Sequence, residues 1–303
     1  MQNARDKKSG RELIAASLDA PETVCKGGRD LRILRWIGLF VGLAVVWRVV
    51  WWFNPTFKKR LARLSPDLTE RNRDFYELIW SNTDLVDPER FNTWPLVREL
   101  ISPETKTLEI GPGLRPRLPA HGTVFVDLSP VAVERLKLAG ADARIGVLTD
   151  LPLDEEFDLV AALDVLEHVE DDVRALSELG RVLVAGGILL VSVPLFPAAW
   201  TDFDEFVGHS RRYELDELVG KLGSAGFQIE RSAGYGMAPR TPWVLNLATR
   251  FLTSRPCESA KQYARWLGPL GMWCQRPLVF AEGLVVGERV DEVILVCRRQ
   301  PGR

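Results

Sequence analysis

The run Thr107-Leu-Glu-Ile-Gly-Pro-Gly113 constrains the fold of this chain more than any other stretch. It reads as a short buried strand over Thr107 to Ile110 that carries an acid, Glu109, and then breaks into a Gly-x-Gly turn. A second strand, Gly122-Thr-Val-Phe-Val-Asp-Leu128, follows and ends on Asp127, eighteen positions after Glu109. In an open parallel sheet, ligands sit beyond the carboxyl ends of adjacent strands. Glycine lets the backbone come close to a ligand there, and a carboxylate at the next strand tip can grip a pair of ribose hydroxyls. The pattern implies a nucleoside site and leaves the nucleoside open.

From about residue 70 the chain looks globular, and 46% hydrophobic content over 303 residues is ample for a core. Strands are predicted at 106–110, 123–127, 142–146, 157–163, 187–193, 227–232 and 292–298, with helices at 129–139, 169–183 and 213–225. That alternation predicts an α/β fold: a Rossmann-like, mostly parallel seven-stranded sheet with helices on both faces. Leu68 to Trp80 and Pro88 to Leu100 are helical candidates in a lead-in over 55–103, and the domain proper spans 104–299. Residues 238–288, which hold Trp243, Trp266, Met272, Trp273 and Phe280, are too many for a hairpin loop. They are predicted as a helical insert before the last strand.

Residues 1–30 are polar, mixed in charge and aperiodic, the composition of a disordered tail. Within 31–54, Trp36 to Phe53 is a run of eighteen residues interrupted by one charge, Arg48, long enough for a transmembrane helix. Trp47, Trp51 and Trp52 gather at one end, as interfacial aromatics do. The expectation is an N-terminal hydrophobic helix that spans the membrane, lies in its plane, or packs on the soluble domain. Arg29, Arg32 and Arg35 precede the run and Lys58, Lys59, Arg60 and Arg63 follow it, so charge gives no orientation. The run starts late and lacks a small-residue cleavage site, which argues against a cleaved signal peptide. A net charge of −2 argues against a nucleic-acid partner. Four cysteines without metal-ligand spacing and three histidines lead to no metal being assigned.

Several segments together resemble the class I S-adenosylmethionine-dependent methyltransferases, in particular the type-11 group. They are Leu108-Glu-Ile-Gly-Pro-Gly113, Val126-Asp-Leu-Ser129, Thr149-Asp-Leu-Pro152, Phe157-Asp-Leu-Val160, Asp164-Val-Leu-Glu-His-Val169 and Arg181-Val-Leu-Val-Ala-Gly-Gly187. Each is weak alone, and their order and spacing make the resemblance strong. It implies S-adenosyl-L-methionine as cofactor and in-line methyl transfer to a small acceptor. Gly111 and Gly113 would let the methionine portion lie against the backbone, and Glu109 would hold its amino group directly or through water. Asp127 would bind the ribose diol, or alternatively cap the helix starting near Ser129. Leu128, Val147, Leu148 and Asp164 complete the expected cofactor site. Because the cofactor is supplied in the cytoplasm, a membrane-associated chain would place this domain on that side.

Two positions depart from the family. Arg115 stands where relatives usually carry a third small residue, with Pro116 and Pro119 where a first helix would start. Val147 stands where many relatives have an acid for the adenine amino group. Pro116 also occupies the place of the third glycine of a nicotinamide fingerprint, which argues against a dinucleotide. A non-catalytic scaffold descended from this fold is the alternative function.

For the acceptor, Asp164, Glu167 and His168 fall at i, i+3 and i+4, one face of a helical turn. The trio resembles a metal-associated motif of ubiquinone-pathway O-methyltransferases, and metal binding, a general base at His168 and a structural turn all stay open. Gly208-His-Ser-Arg-Arg-Tyr213 resembles a segment that follows the fifth strand in many relatives. His209 is a second catalytic candidate, and Arg211, Arg212 and Tyr213 are expected either to meet an anionic or hydroxylated substrate or to anchor the next helix. The Trp-rich insert and the N-terminal run point to a lipophilic or lipid-linked acceptor, a small molecule or a lipid.

Overall fold

The computed structural model describes residues 76–77, 80–81, 83–235, 272, 275–284 and 290–302. Strand β1 (Thr107–Ile110) is buried along its whole length and lies between two parallel neighbours, β2 (Thr123–Asp127) and β4 (Phe157–Leu163). A strand covered on both faces reads as a continuous apolar run, which is why Thr107 to Ile110 shows no alternation. β3 (Asp142–Ile145) pairs outside β2, and β5 (Leu183–Pro194) pairs with β4, both in parallel. The chain builds outward from β1 to β3 and then returns to the other side of β1 at β4. That reversal is the topological switch at which open α/β sheets bind ligands.

The far half of the sheet is antiparallel. β8 (Glu292–Arg299) inserts between β5 and β6 (Phe227–Gly234), and β7 (Ala281–Glu282) adds to the β6 edge. The order is β3-β2-β1-β4-β5-β8-β6-β7, so the sheet is mixed and has eight strands instead of the predicted seven. The extra strand is two residues long, too short for a periodicity signal, and lies inside the span expected as helical insert. The rest of that insert lies outside the described residues, apart from Met272 and the irregular residues 275–280 and 283–284.

Successive residues of each inner strand feed opposite faces. Val160 and Ala162 of β4 join Leu108, Ile110 and Leu295 in one core, and Leu159 and Ala161 join Ile294 and Val296 in the other. The first face is covered by α3 (Asp172–Val182) through Ala175, Leu176 and Leu179, and by α4 (Leu215–Ser224) through Leu218 and Leu222. The second is covered by α1 (Trp94–Leu100) through Leu96 and Val97. Helix α2 (Pro130–Leu138) packs Val133 and Leu136 on Phe125 and Ala143. Ser129 caps it through the Ala132 N–H, with Pro130 in the first turn, where a missing N–H costs nothing.

Residues 111–122, which connect β1 to β2, contain no helix. Parallel neighbours are usually joined through one, but Pro112, Pro116 and Pro119 deny this segment the N–H groups a helix needs. The tail 1–30 and the expected membrane helix over 36–53 lie outside the described residues, as does most of the lead-in before residue 76. Among the described residues no helix is long and apolar enough to cross a membrane.

Candidate functional site

A cavity of about 490 Å³ opens at the carboxyl edge of the sheet, beyond β1, β2 and β4. Its walls include Glu109, Gly111 and Gly113 after β1, Asp127 and Leu128 at the β2 tip, Val147 and Leu148 after β3, and Asp164 and His168 after β4. All eight expected cofactor residues therefore meet in one place, with His168 beside them.

The turn after β1 explains its glycines. Gly111 and Gly113 have φ of 64° and 53°, the left-handed region that side chains disfavour. A Cβ on Gly113 would lie 2.3 Å from the Trp80 ring, and one on Gly111 would lie 2.7 Å from Val165. Trp80 and Tyr76, stacked with ring centroids 5.8 Å apart, close the cavity from the lead-in. Sequence reasoning missed both as site residues. Their i, i+4 spacing on a helix was the available signal.

Asp127 is 7% exposed and accepts the Gly113 N–H at one oxygen and the Ser129 N–H at the other, both at 2.8 Å. A carboxylate offers about four lone-pair sites, so Asp127 keeps acceptor capacity for a ligand hydroxyl. Burial raises its pKa against these bonds. Glu109 is used differently. It accepts the Arg117 and Leu118 N–H groups at 2.8–2.9 Å and so pins the proline-rich segment to the strand. Burial pushes the Glu109 carboxyl up to about 7 despite those bonds.

Asp164 has φ of 57°, unusual for a residue with a side chain, and its N–H and carboxylate both bond the buried Ser192 hydroxyl. The short helical turn that follows covers only Leu166–His168, so Asp164 lies outside the turn it was expected to share with Glu167 and His168. His209 comes close instead: among the described residues, Glu167, His168 and His209 bring ligand atoms within 4.8 Å of one another. Burial and the neighbouring Asp164 push Glu167 well above the usual carboxylate range.

His168 Nδ1 lies 3.2 Å from the Gly208 carbonyl, which can only accept, so Nδ1 carries the proton and Nε2 presents a lone pair. Tyr76 Oη sits 3.4 Å from that Nε2. Burial and the nearby His209 pull His168 down to about 3, so the ring is neutral at physiological pH.

The segment after β5 turns inward. Asp204, fully buried, accepts His209 Nδ1 at 2.9 Å, Arg212 at 2.8 and 3.0 Å, and both the N–H and the hydroxyl of Thr201 at 2.8 Å. Burial works against its charge, but these donors outweigh it and hold the carboxyl well below the usual range. Tyr213 is fully buried and donates to Asp172 at 2.9 Å, and Arg211 pairs with the same carboxylate at 2.8 Å. His209, Arg211, Arg212 and Tyr213 are thus engaged within the protein, and none of the four lines the cavity.

The geometry fits an adenosyl cofactor: glycines where a Cβ would strike the wall, and a buried acid at the β2 tip with acceptor capacity left. Residues 108–191 match the family model described as "Methyltransferase domain", type 11. Residues 108–191 thus form a methyltransferase domain of the type-11 group. The methyltransferase domain is 37% identical over 113 residues to a "Probable S-adenosylmethionine-dependent methyltransferase" of Mycolicibacterium smegmatis, covering 36% of this chain and 43% of that protein. It is 34% identical over 128 residues to a similarly named protein of Mycobacterium tuberculosis H37Rv, covering 40% and 46%. The chain thus matches less than half the length of these curated relatives. The fold is also that of a crystallised S-adenosylmethionine-dependent methyltransferase of Thermotoga maritima, with TM-score 0.50, 20% identity, and coverage of 76% of this chain and all of that one. S-adenosylmethionine is the cofactor the family implies for this domain.

Proposed function

We propose that this protein transfers a methyl group from S-adenosylmethionine to a small acceptor, and that the acceptor is lipophilic or lipid-linked. The observation that carries the first part is the cavity at the switch point, where Gly111, Gly113, Asp127 and Asp164 converge. Asp127 takes the ribose hydroxyls, and Leu128, Val147 and Leu148 flank the adenine, with backbone groups replacing the acid absent at Val147. Gly111 and Gly113 leave room for the methionine end. The bound cofactor supplies the activated methyl group. The chain's own residues align the acceptor and exclude water, with Tyr76 and Trp80 as a wall and His168 Nε2 as an acceptor for the acceptor's N–H or O–H.

The second part rests on sequence: the apolar run Trp36 to Phe53 and the aromatic residues of 238–288. In this reading the run holds the chain at a membrane with the domain on the cytoplasmic side, and nucleic acid has no part. Calorimetry of the full chain with S-adenosylmethionine and its demethylated product tests the cofactor. Binding of neither would overturn the enzyme reading in favour of a scaffold. Turnover of lipid and water-soluble acceptors at equal rates would remove the lipophilic part alone.

A further inference from the structure

The cavity is rich in acidic groups. Glu109, Asp127, Asp164, Glu170 and Asp171 all line it, and His168 is neutral. Among the described residues only Arg115 and Arg117 bring a full positive charge to its wall. Both come from the segment where this chain departs from its family.

Arg117 is held for use. Its backbone N–H is fixed by Glu109, and its guanidinium stacks on the Phe91 ring at 3.8 Å. One terminal nitrogen donates to the Arg115 carbonyl and the other to Tyr235 Oη at 3.3 Å, while Nε is buried without a partner. A guanidinium has five N–H donors in a planar fork, so these two hydrogen-bond partners leave capacity for a planar anion. Burial works against its charge, but the facing Tyr235, Asp164 and Glu109 more than offset that. Asp164 and Glu109 stand at the tips of β4 and β1, so Arg117 lies on the β4 side of the switch. The residues following β3, Val147 and Leu148, line the opposite side.

S-adenosylmethionine has one anionic group, the carboxylate at its methionine end. With the ribose on Asp127 and the adenine toward β3, that carboxylate extends toward β4. There, without a cation, it would face Glu109 and Asp164 alone. We propose that Arg117 binds the cofactor carboxylate, so that the Arg115-Pro-Arg117 segment supplies a charged clamp where relatives usually carry a small residue. The inference rests on the cofactor reading above. It assigns Asp164 and Glu109, the acids beside the fork, to the cofactor ammonium.

The test is a binding cycle by calorimetry on the full chain with S-adenosylhomocysteine and its decarboxylated analogue, which lacks only the carboxylate. The wild type is expected to prefer the carboxylate-bearing ligand by about 10- to 100-fold, the range for hydrogen bonds to a charged group. Arg117→Met is expected to abolish that preference while leaving the affinity for the decarboxylated analogue within about twofold. Arg117→Lys, which keeps the charge without the fork, is expected to retain part of the preference and covers the case in which the Met variant does not fold. An undiminished preference in Arg117→Met, or one unchanged from wild type in Arg117→Lys when the Met variant cannot be measured, overturns the proposal. So does a wild type with no preference. Wild-type binding of neither ligand overturns the cofactor reading itself, which separates the two failures.

Discussion

The segments after β1 and after β5 sit at the same edge of the same sheet, and each is organised by a buried carboxylate, yet the two acids act on different atoms. Glu109 binds backbone N–H groups of Arg117 and Leu118, which leaves the Arg117 side chain on the cavity wall. Asp204 binds the side chains of His209 and Arg212 themselves, so the charged residues of its segment are consumed in holding the loop. One acid displays a cation and the other hides one. The lesson is that a charged motif is read by its partner atoms, and residue type alone does not separate a binding loop from a structural one.

The sharpest way to break the comparison is Asp204→Ala. It leaves the nearly buried Arg212 without its carboxylate, and breaking such a pair costs about 3–5 kcal/mol. Urea denaturation should show that loss, with cofactor affinity per folded molecule unchanged. A loss of affinity without a loss of stability would place this loop in the binding machinery.

Next come two buried groups with opposite pH signs. Glu109 has its folded pKa raised to about 7 from 4.5, so its contribution is fully present below about 4.5 and is lost as pH rises through about 7. His168 has its folded pKa lowered to about 3 from 6.5, so its contribution is present above about 6.5 and is lost as pH falls toward 3. Glu109→Gln should therefore gain stability relative to wild type between pH 5 and 8, by up to about 3 kcal/mol. His168→Gln should flatten the acid side instead. Parallel curves for wild type and Glu109→Gln would show that the burial of Glu109 is not felt energetically.

Gly113→Val places a side chain at positive φ and against Trp80. About 1–2 kcal/mol from the backbone and 1–3 from overpacking should lower stability, with cofactor binding lost. If the variant binds normally, Trp80 is not a fixed wall. Smallest is Asp127→Asn, which keeps the shape and removes the charge. Affinity for S-adenosylhomocysteine should fall about 10- to 100-fold, with little change in melting temperature.

The first half of the sheet was legible because its signals are local. The runs at 107–113 and 122–128 carry strand, turn and acid within a few residues, and Asp127 follows from that spacing. What was not legible depended on distant partners. Nothing near Arg212 announces Asp204 as a sink for its charge, and nothing near Gly113 announces a tryptophan thirty-three positions earlier. The irregular segment after β1 was legible too, because Pro116 and Pro119 stand where relatives start a helix. The acid–acid–His face at 164–168 failed because the helical turn covers only Leu166–His168, and Asp164 precedes it with a left-handed backbone that no periodicity detects.

The position of β8 has a consequence for how the chain assembles. Its residues come last among the described strands but pair in the middle of the sheet, with β5 on one side and β6 on the other. Until Glu292 to Arg299 are in place, β5 and β6 each present an open hydrogen-bonding edge, a template for pairing with another chain. Long-range strand pairing of this kind is slow to form. During synthesis the ligand-facing strands therefore emerge before the strand that closes the sheet. Anything that occupies the cavity early would stabilise those strands while the closing strand is still missing.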